Sequence, residues 1–299
     1  MKTHPTFLRK RGFTLMELMV AMAITTIIVT VLVSITSIAL DTWNRSRSEL
    51  RASRQAKSMI DTIAGDFEAL FVRRGNANEW LSAVIDPNLD QIGDKLKSSN
   101  ASKLIFFTAA TDRYDGQSGV DGKDNGGDVS CVAYQLDYKN PISEKVGFET
   151  FVLNRLLVNP DDSFKDLLGK TDLTSAFASY LPKLSDTGNF VCENIYQFTV
   201  TFHVRVTDAT KTPPLVSDVP VTIGQDTTSF SIIGNGVATI PADARLASGR
   251  VTAMEVSVTV ISDFGIDQLK RRSFTTPQKA DFLAKNSYQY SKLVQLPGM

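Results

Sequence analysis

The feature that most constrains this chain is an uncharged run of 23 residues from Leu18 to Leu40, which also lacks proline and glycine. A helix of this length is about 35 Å long, enough to cross a bilayer core of about 30 Å. The threonine and serine hydroxyls in the run can donate to carbonyls of the preceding helical turn, so they add little cost. We therefore expect a membrane-spanning helix near the N-terminus.

The residues before this run are basic. Lys2, Arg9, Lys10 and Arg11 occur among the first twelve positions without an acidic residue. Such a leader favours a cytoplasmic N-terminus. Over the whole chain 32 basic residues balance 32 acidic ones, so net charge gives no reason to expect a nucleic-acid partner.

Two general interpretations of the segment are open. A secretory signal peptide could be cleaved after Ser37-Ile38-Ala39, but its apolar region is normally about 7–15 residues, shorter than this one. A plain transmembrane anchor explains the length but gives no role to Glu17, an ionisable residue near the start of the apolar segment. Because Glu17 lies only about one helical turn inside the apolar segment, its side chain could also reach the lipid headgroups, which would be compatible with an ordinary anchor.

Residues 9–17, RKRGFTLME, resemble the signature of type IV prepilins, which include type IV pilins and type II secretion pseudopilins. That family has a short basic leader, a glycine, and an apolar helix that starts with phenylalanine and carries glutamate at its fifth position. Counted from Phe13, Glu17 is the fifth residue. The resemblance implies cleavage by prepilin peptidase between Gly12 and Phe13, followed by N-methylation of Phe13. It also implies that Glu17 neutralises the amino terminus of a neighbouring subunit during assembly.

The same resemblance implies the partners and the location. Besides the peptidase, we expect other pilin or pseudopilin subunits and an inner-membrane assembly platform. The chain would cross the bacterial inner membrane once, with a periplasmic head, and could be extracted into a periplasmic or surface filament.

The helix is expected to continue beyond the membrane. Ala56, Ile60, Ile63, Phe67 and Leu70 recur at spacings of three and four residues, which indicates one apolar stripe on an amphipathic helix. The sequence RRGN at positions 73–76 looks like a helix stop, so we predict a helix from position 14 to 74. The expected divisions are a leader (1–12), a membrane or filament-core helix (13–40), its amphipathic continuation (41–74) and a globular head (75–299).

The head is predicted to be rich in β-strands. The clearest alternation of apolar and polar residues lies in 196–206 and is repeated in 254–260. Three further strand candidates are 102–110, 128–138 and 148–158. The predicted fold class is therefore α+β, with a long N-terminal helix packed on one antiparallel sheet, the lollipop form that the pilin resemblance implies.

The order of these elements resembles the J branch of minor pseudopilins in type II secretion, and also the verrucomicrobial Verru_Chthon cassette prepilin-like proteins. The head is larger than a usual pseudopilin head, which favours a minor subunit. Candidate insertions are 75–101 and 159–190, which contain polar and helix-like patches, and 207–250, which we expect to form a long hairpin or loop excursion.

Residues 112–128 form an aspartate- and glycine-rich segment. Asp121, Asp124, Asn125 and Asp128 could supply oxygen ligands to calcium, which prefers several oxygens from a flexible loop. Lys123 lies among them and no glutamate closes an EF-hand spacing, so an ordinary turn between strands explains the same residues. Calcium is a weak candidate, and no other metal or cofactor is expected.

The two cysteines, Cys131 and Cys192, each fall in or beside an expected strand. In an exported head they could form a disulfide that closes a loop of about 60 residues. Two buried free thiols are the alternative.

Nothing in the sequence points to catalysis. His203 is the only histidine outside the leader, and the chain has no HExxH, GxSxG, Walker A or dinucleotide-binding motif. We therefore expect a structural filament subunit. The alternative is a singly anchored periplasmic binding module that does not polymerise.

Overall fold

The computed structural model describes residues 14–72, 75–85, 102–109, 128–140, 149–208 and 212–296. It divides into two compact units, Met1–Glu49 and Leu50–Met299. A single helix, α1 (Leu15–Glu68), contributes to both. The class is α+β, with a long apolar N-terminal helix and antiparallel sheets, as expected from the sequence.

Helix α1 continues past the uncharged run, as the stripe predicted, but it ends at Glu68 rather than at position 74. The early end has a clear cause in the backbone hydrogen bonds that follow it. Phe71 N–H donates to the Phe107 carbonyl at 2.9 Å, and Ala109 N–H donates to the Ala69 carbonyl at 2.8 Å. The chain therefore leaves the helix to pair with a strand of the head.

Among the described residues, the first sheet has seven antiparallel strands in the order β5-β4-β3-β2-β1-β8-β9. They are β1 (Glu79–Ile85), β2 (Ser102–Thr108), β3 (Ser130–Lys139), β4 (Thr150–Val158), β5 (Phe190–Glu193), β8 (Ser229–Ile233) and β9 (Gly236–Ile240). Strands β2, β3 and β4 lie where the sequence indicated strands. Strand β1 falls inside the segment expected to be an insertion (75–101).

The second sheet, in the part of the chain that the structure describes, has four antiparallel strands in the order β11-β10-β6-β7. They are β6 (Ile195–Asp208), β7 (Leu215–Thr222), β10 (Arg250–Ile261) and β11 (Ser287–Gln295). The two alternating segments are neighbours, as β6 and β10, with Val200 opposite Val256. The excursion expected at 207–250 is instead built into both sheets, because β7 joins the second sheet and β8 and β9 join the first.

The expectation of one sheet was wrong, because the chain changes sheets at Asn194. This residue has φ of 64°, in the left-handed region that asparagine tolerates better than most residues. Its side-chain carbonyl accepts from the Thr150 hydroxyl at 2.6 Å, and its amide donates to Asp263 at 2.5 Å. These two hydrogen bonds fix the backbone turn at Asn194, so that β5 belongs to the first sheet and β6 to the second.

The second unit contains two apolar clusters. The larger joins buried α1 residues, including Ala56, Ile63 and Phe67, to one face of each sheet. The smaller lies on the other face of the first sheet, under short helical turns between positions 160 and 189. These include α2 (Pro160–Asp162), α3 (Leu173–Ala176) and α4 (Leu181–Leu184), so the insertion predicted at 159–190 is a helical cover.

Two further helices, α5 (Asp263–Arg271) and α6 (Thr276–Asn286), connect β10 to β11. Their positions correspond to no element that the sequence analysis named.

Candidate functional site

The first turn of α1 is closed by a capping box between Thr14 and Glu17. Thr14 N–H and its hydroxyl donate to Glu17 Oε2 at 2.8 and 2.9 Å, and Glu17 N–H donates to Thr14 Oγ1 at 3.2 Å. Such reciprocal bonds satisfy N–H groups that have no partner within the helix. This cap was not among the roles expected for Glu17, although the T-x-x-E spacing of residues 14–17 is its sequence signal. Gly12 and Phe13 lie outside the described residues.

The apolar part of α1 has no cover from the described chain. Its most apolar 18-residue window has a mean hydropathy of 2.6 and is 0% buried. Large apolar side chains point outward around the helix; for example, Ile27 is 65% exposed and Leu32 57%. A helix that is apolar on all sides requires lipid or other helices around it. Length and apolarity therefore fit a single-pass membrane anchor.

The hydroxyls in this segment are satisfied within the helix, as expected. Thr25 donates to the Ala21 carbonyl at 2.8 Å, and Thr30 to the Thr26 carbonyl at 2.8 Å. Thr26, Ser34, Thr36 and Thr42 make equivalent bonds four residues back. These side chains therefore do not leave unsatisfied polar groups on the apolar surface.

In the second unit, the end of α1 is tied to the first sheet by a buried polar cluster. Arg155 on β4 donates from Nε and Nη2 to the Asp66 carboxylate at 2.7 and 2.6 Å. The Tyr134 hydroxyl on β3 donates to the same carboxylate. The side chains of Arg155 and Asp66 are 0% and 5% exposed, so this is a two-pronged ion pair in the interior.

The protonation of this cluster is set by its surroundings. Burial alone would lower the pKa of Arg155, but the hydrogen bonds that its guanidinium donates to Asp66 and Tyr134, together with the charge of Asp66, raise it, so the guanidinium stays charged. Burial, followed by the charge of Asp66, raises the pKa of the Tyr134 hydroxyl well above its ordinary value. Tyr134 therefore stays a neutral donor to the carboxylate.

Two exposed ion pairs hold the same helix on other sides. Lys292 on β11 donates to Asp61 at 2.9 Å, and Arg51 pairs with Glu193 on β5. Thr108 on β2 adds a hydroxyl bond of 2.8 Å to the Asp66 carbonyl. The second half of α1 is thus fixed to strands of both sheets, and this docking surface could not be read from the sequence.

The structure does not support the predicted disulfide. Cys131 and Cys192 are both free and buried. Cys131 lies opposite Val158 and Cys192 opposite Leu153, so they flank different parts of β4 and belong to different apolar clusters. Burial raises the pKa of the Cys192 thiol to about 12 and that of Cys131 further, so both are protonated.

The calcium candidates cannot be placed together. Asp121, Asp124 and Asn125 lie outside the described residues, and only Asp128 is inside them. Within the described ranges, no group of three or more histidine, cysteine, aspartate or glutamate residues is arranged to hold a metal ion. The calcium site stays a sequence-based prediction.

Comparison with known proteins identifies the N-terminal segment. Residues 8–33 match the family described as the prokaryotic N-terminal methylation motif. No curated protein matches the chain. Among solved structures, the type IV-like pilin from Thermus thermophilus is similar at 10% identity and a TM-score of 0.32, with 83% of this chain and 97% of that chain covered. That score is too low to support conclusions about the head.

The matched residues contain positions 8–12 of the leader, then Phe13 and Glu17, and they run into the exposed apolar part of α1. In its N-terminal segment, this chain is similar to type IV prepilins.

Proposed function

We propose that the chain is a structural minor pilin or pseudopilin subunit. In this proposal, prepilin peptidase cleaves it between Gly12 and Phe13 and methylates the new N-terminus. The segment 13–40 then holds the subunit in the inner membrane, with a cytoplasmic N-terminus and a periplasmic head. Assembly transfers this helix into the core of a type II secretion or pilus-like filament, or its tip.

The observation that carries the proposal is the combination of the methylation motif with an uncovered apolar helix. The motif at residues 8–33 supports processing by the prepilin pathway, and the 0% burial of the apolar window means that the described chain supplies no neighbours for it. Lipid satisfies that surface in the membrane, and helices of other subunits can replace lipid in a filament. The large head, with eleven described strands, favours a low-copy position over that of a repeating major subunit.

In the filament, Glu17 has a role that its capping bonds do not fill. An ionised carboxylate in an apolar helix bundle needs a partner of opposite sign. The amino terminus of a neighbouring processed subunit is such a partner. The alternative, a singly anchored binding module, needs no such pairing, so Glu17 discriminates between the two functions.

The test is incorporation of Glu17→Gln and Glu17→Ala variants into filaments sheared from the native host. Glutamine retains an oxygen that can accept the Thr14 bonds, but it removes the charge. The proposal predicts that both variants reach the membrane and that neither enters the filament. Asp41→Ala, which removes a carboxylate just beyond the uncharged run, is the matched control and should assemble normally. Normal incorporation of Glu17→Gln would contradict the charge-pairing role, and absence of the wild-type chain from every filament would favour the anchored module.

A further inference from the structure

Each sheet of the head has two edge strands, and an edge strand presents a row of backbone N–H and C=O groups to any strand that approaches it. In the described chain these edges are β5 and β9 in the first sheet and β7 and β11 in the second. Natural edges are usually protected by proline, by charge, by short length or by a covering segment. Three of these four edges carry such protection, and β11 does not.

The three protected edges differ in how access is blocked. Strand β5 has only four residues. On β9, the N–H of Val237 donates to the Ala247 carbonyl at 3.3 Å, so a loop covers that edge. On β7, Pro220 has no N–H, and the N–H of Thr222 donates to the Asp226 carboxylate at 2.8 Å. A partner strand would therefore find few free backbone groups on these three edges.

Strand β11 is nine residues long, and all nine pair with β10. The hydrogen bonds at its two ends show which backbone groups point away from β10. At one end, Leu296 N–H donates to the Thr252 carbonyl at 2.8 Å. At the other end, Ser262 N–H donates to the Asn286 carbonyl at 3.2 Å. Because antiparallel pairs alternate, the even-numbered residues of β11 bond to β10 and the odd-numbered residues face the open edge. These outward-facing residues are Ser287, Gln289, Ser291, Leu293 and Gln295.

The outward backbone groups of β11 are accessible along most of the strand. Ser287 N–H caps α6 by donating to the Leu283 carbonyl. For the other four outward-facing residues, no backbone hydrogen bond is present in the described part of the chain, and all four are exposed. The strand has no proline and no acidic residue, and its one charged side chain, Lys292, is paired with Asp61 at 2.9 Å. The edge therefore lacks the usual protection against a further strand.

We propose that β11 is a docking edge, which adds an extended segment of a different protein to the second sheet as a further strand. The complement of such an edge is another extended backbone, because only that presents donors and acceptors at the same spacing. Main-chain hydrogen bonds supply the attraction in this mode of recognition, and side chains on the two faces supply the selectivity.

The side chains on the two faces of β11 define the chemistry of the segment. Tyr290 and Val294 lie on the core side and belong to the margin of the larger apolar cluster. Gln289 and Ser291 lie on the outer side, together with Leu293, which is 52% exposed. Residues opposite each other across an antiparallel ladder share a face. The segment therefore has apolar residues at every second position on the core side, and polar residues between them except opposite Leu293.

A second copy of this chain does not fit the edge. Antiparallel pairing of β11 with itself needs a two-fold axis perpendicular to the sheet, which reverses the direction of the second α1. The part of α1 from Ala52 to Phe67 packs along the core faces of the sheets, so two helices that run in opposite directions could not both enter one membrane. Parallel self-pairing would turn one sheet over and set the row of Tyr290 beside the row of Ser291. The choice of a different chain rests on the proposed function through its membrane anchor.

The experiment places a photo-crosslinking residue, p-benzoylphenylalanine, at Ser291 of the full chain in its native host, and crosslinked peptides are identified by mass spectrometry. Two variants block the edge without removing a bond to β10: Leu293→Pro deletes an outward N–H, and Leu293→Lys adds a charge. Val216→Pro is the matched control. Val216 is 55% exposed and its N–H also points outward, but it lies on the protected β7 edge.

The proposal predicts a crosslink from position 291 to one segment of a different protein, with the alternation of apolar and polar residues described above. Leu293→Pro and Leu293→Lys should each lower the crosslink yield about tenfold or more, because the added strand loses backbone bonds, whereas Val216→Pro should leave it unchanged. In lipid nanodiscs without the partner, the Ser291 amide should exchange its hydrogen about a hundred times faster than the Lys292 amide. All variants should keep the wild-type melting temperature within a few degrees.

Four results would overturn the docking edge: no crosslink from position 291, a crosslink that joins two copies of this chain, a crosslink that survives both Leu293 variants, or a Ser291 amide as protected as that of Lys292. Filament incorporation is scored in the same cells, so the two proposals can fail separately. A chain that enters filaments without this crosslink contradicts the docking edge alone. A crosslink to a different protein in cells whose filaments lack the chain supports the docking edge and contradicts the filament role.

Discussion

Replacing Asp66 by alanine should destabilise the head strongly, because it would leave the Arg155 guanidinium charged in the interior. The side chain of Arg155 is 0% exposed, and Asp66 takes two of its hydrogen bonds. Breaking a buried ion pair by removal of one partner costs about 3–5 kcal/mol in the free energy of unfolding. For a domain of this size that corresponds to a fall in melting temperature of about 6–20 °C.

The assay is thermal unfolding of the detergent-solubilised chain, followed by near-ultraviolet circular dichroism, which reports on packing in the aromatic-rich head. Arg245→Ala serves as the control, because it removes an exposed pair and should hardly change the melting temperature. The double variant Asp66→Leu with Arg155→Met should recover much of the loss, since no buried charge remains unpaired. The reasoning is refuted if Asp66→Ala melts within about 2 °C of the Arg245→Ala control.

Three further predictions concern the head. The pKa of Tyr134 is raised in the folded state, so the stability that its neutral hydroxyl contributes is complete below the ordinary pKa of 10.0 and is lost as the pH rises above that value. In urea titrations, the free energy of unfolding should therefore fall less between pH 8 and pH 11 for Tyr134→Phe than for wild type. At Asn194, whose φ is 64°, alanine should be less stable than glycine by about 1 kcal/mol in the same titration, since both lose the side-chain bonds but only alanine strains the backbone. Gly249→Ala should cost about 1–3 kcal/mol by calorimetry, because its Cβ would lie 2.4 Å from Val204 Cγ1; equal stability to wild type would contradict that packing.

The parts of the fold that could be predicted have a strong local period. The three-and-four spacing of Ala56, Ile60, Ile63 and Phe67 identified the buried side of α1, and all four are buried. The two-residue alternation in 196–206 and 254–260 identified the central strands of the second sheet. In both cases the pattern follows directly from which side of an element faces the core.

The division into two sheets could not be predicted, because it depends on one backbone conformation at Asn194 and on long-range pairing of β8 with β1. The end of α1 at Glu68 likewise depends on hydrogen bonds to β2, which lies more than thirty residues later. The local sequence after Glu68 favoured a longer helix, but backbone pairing with β2 outweighed that local preference.

The candidate site was likewise only partly predictable from the sequence. The processing and assembly roles of Gly12, Phe13 and Glu17 could be proposed because these residues form a compact motif, and they stay predictions. The docking of α1 through Asp66 and Arg155 joins residues 89 apart in the chain, so it could not be proposed from the sequence. One signal was present: Arg155 is the only charged residue in the strand FVLNRLLV, whose other residues are apolar except Asn154, and a charge in such a strand needs a partner. The partner's identity required the structure.

The central claim, processing by the prepilin pathway, is tested most directly by N-terminal sequencing and intact mass of the chain extracted from the membranes of its native host. The account predicts a start at Phe13 and a mass about 14 Da above that of residues 13–299, which corresponds to one methyl group. A start at Met1, or at Leu40 after cleavage behind Ala39, would contradict the account and leave an anchored or secreted β-rich head without a filament role.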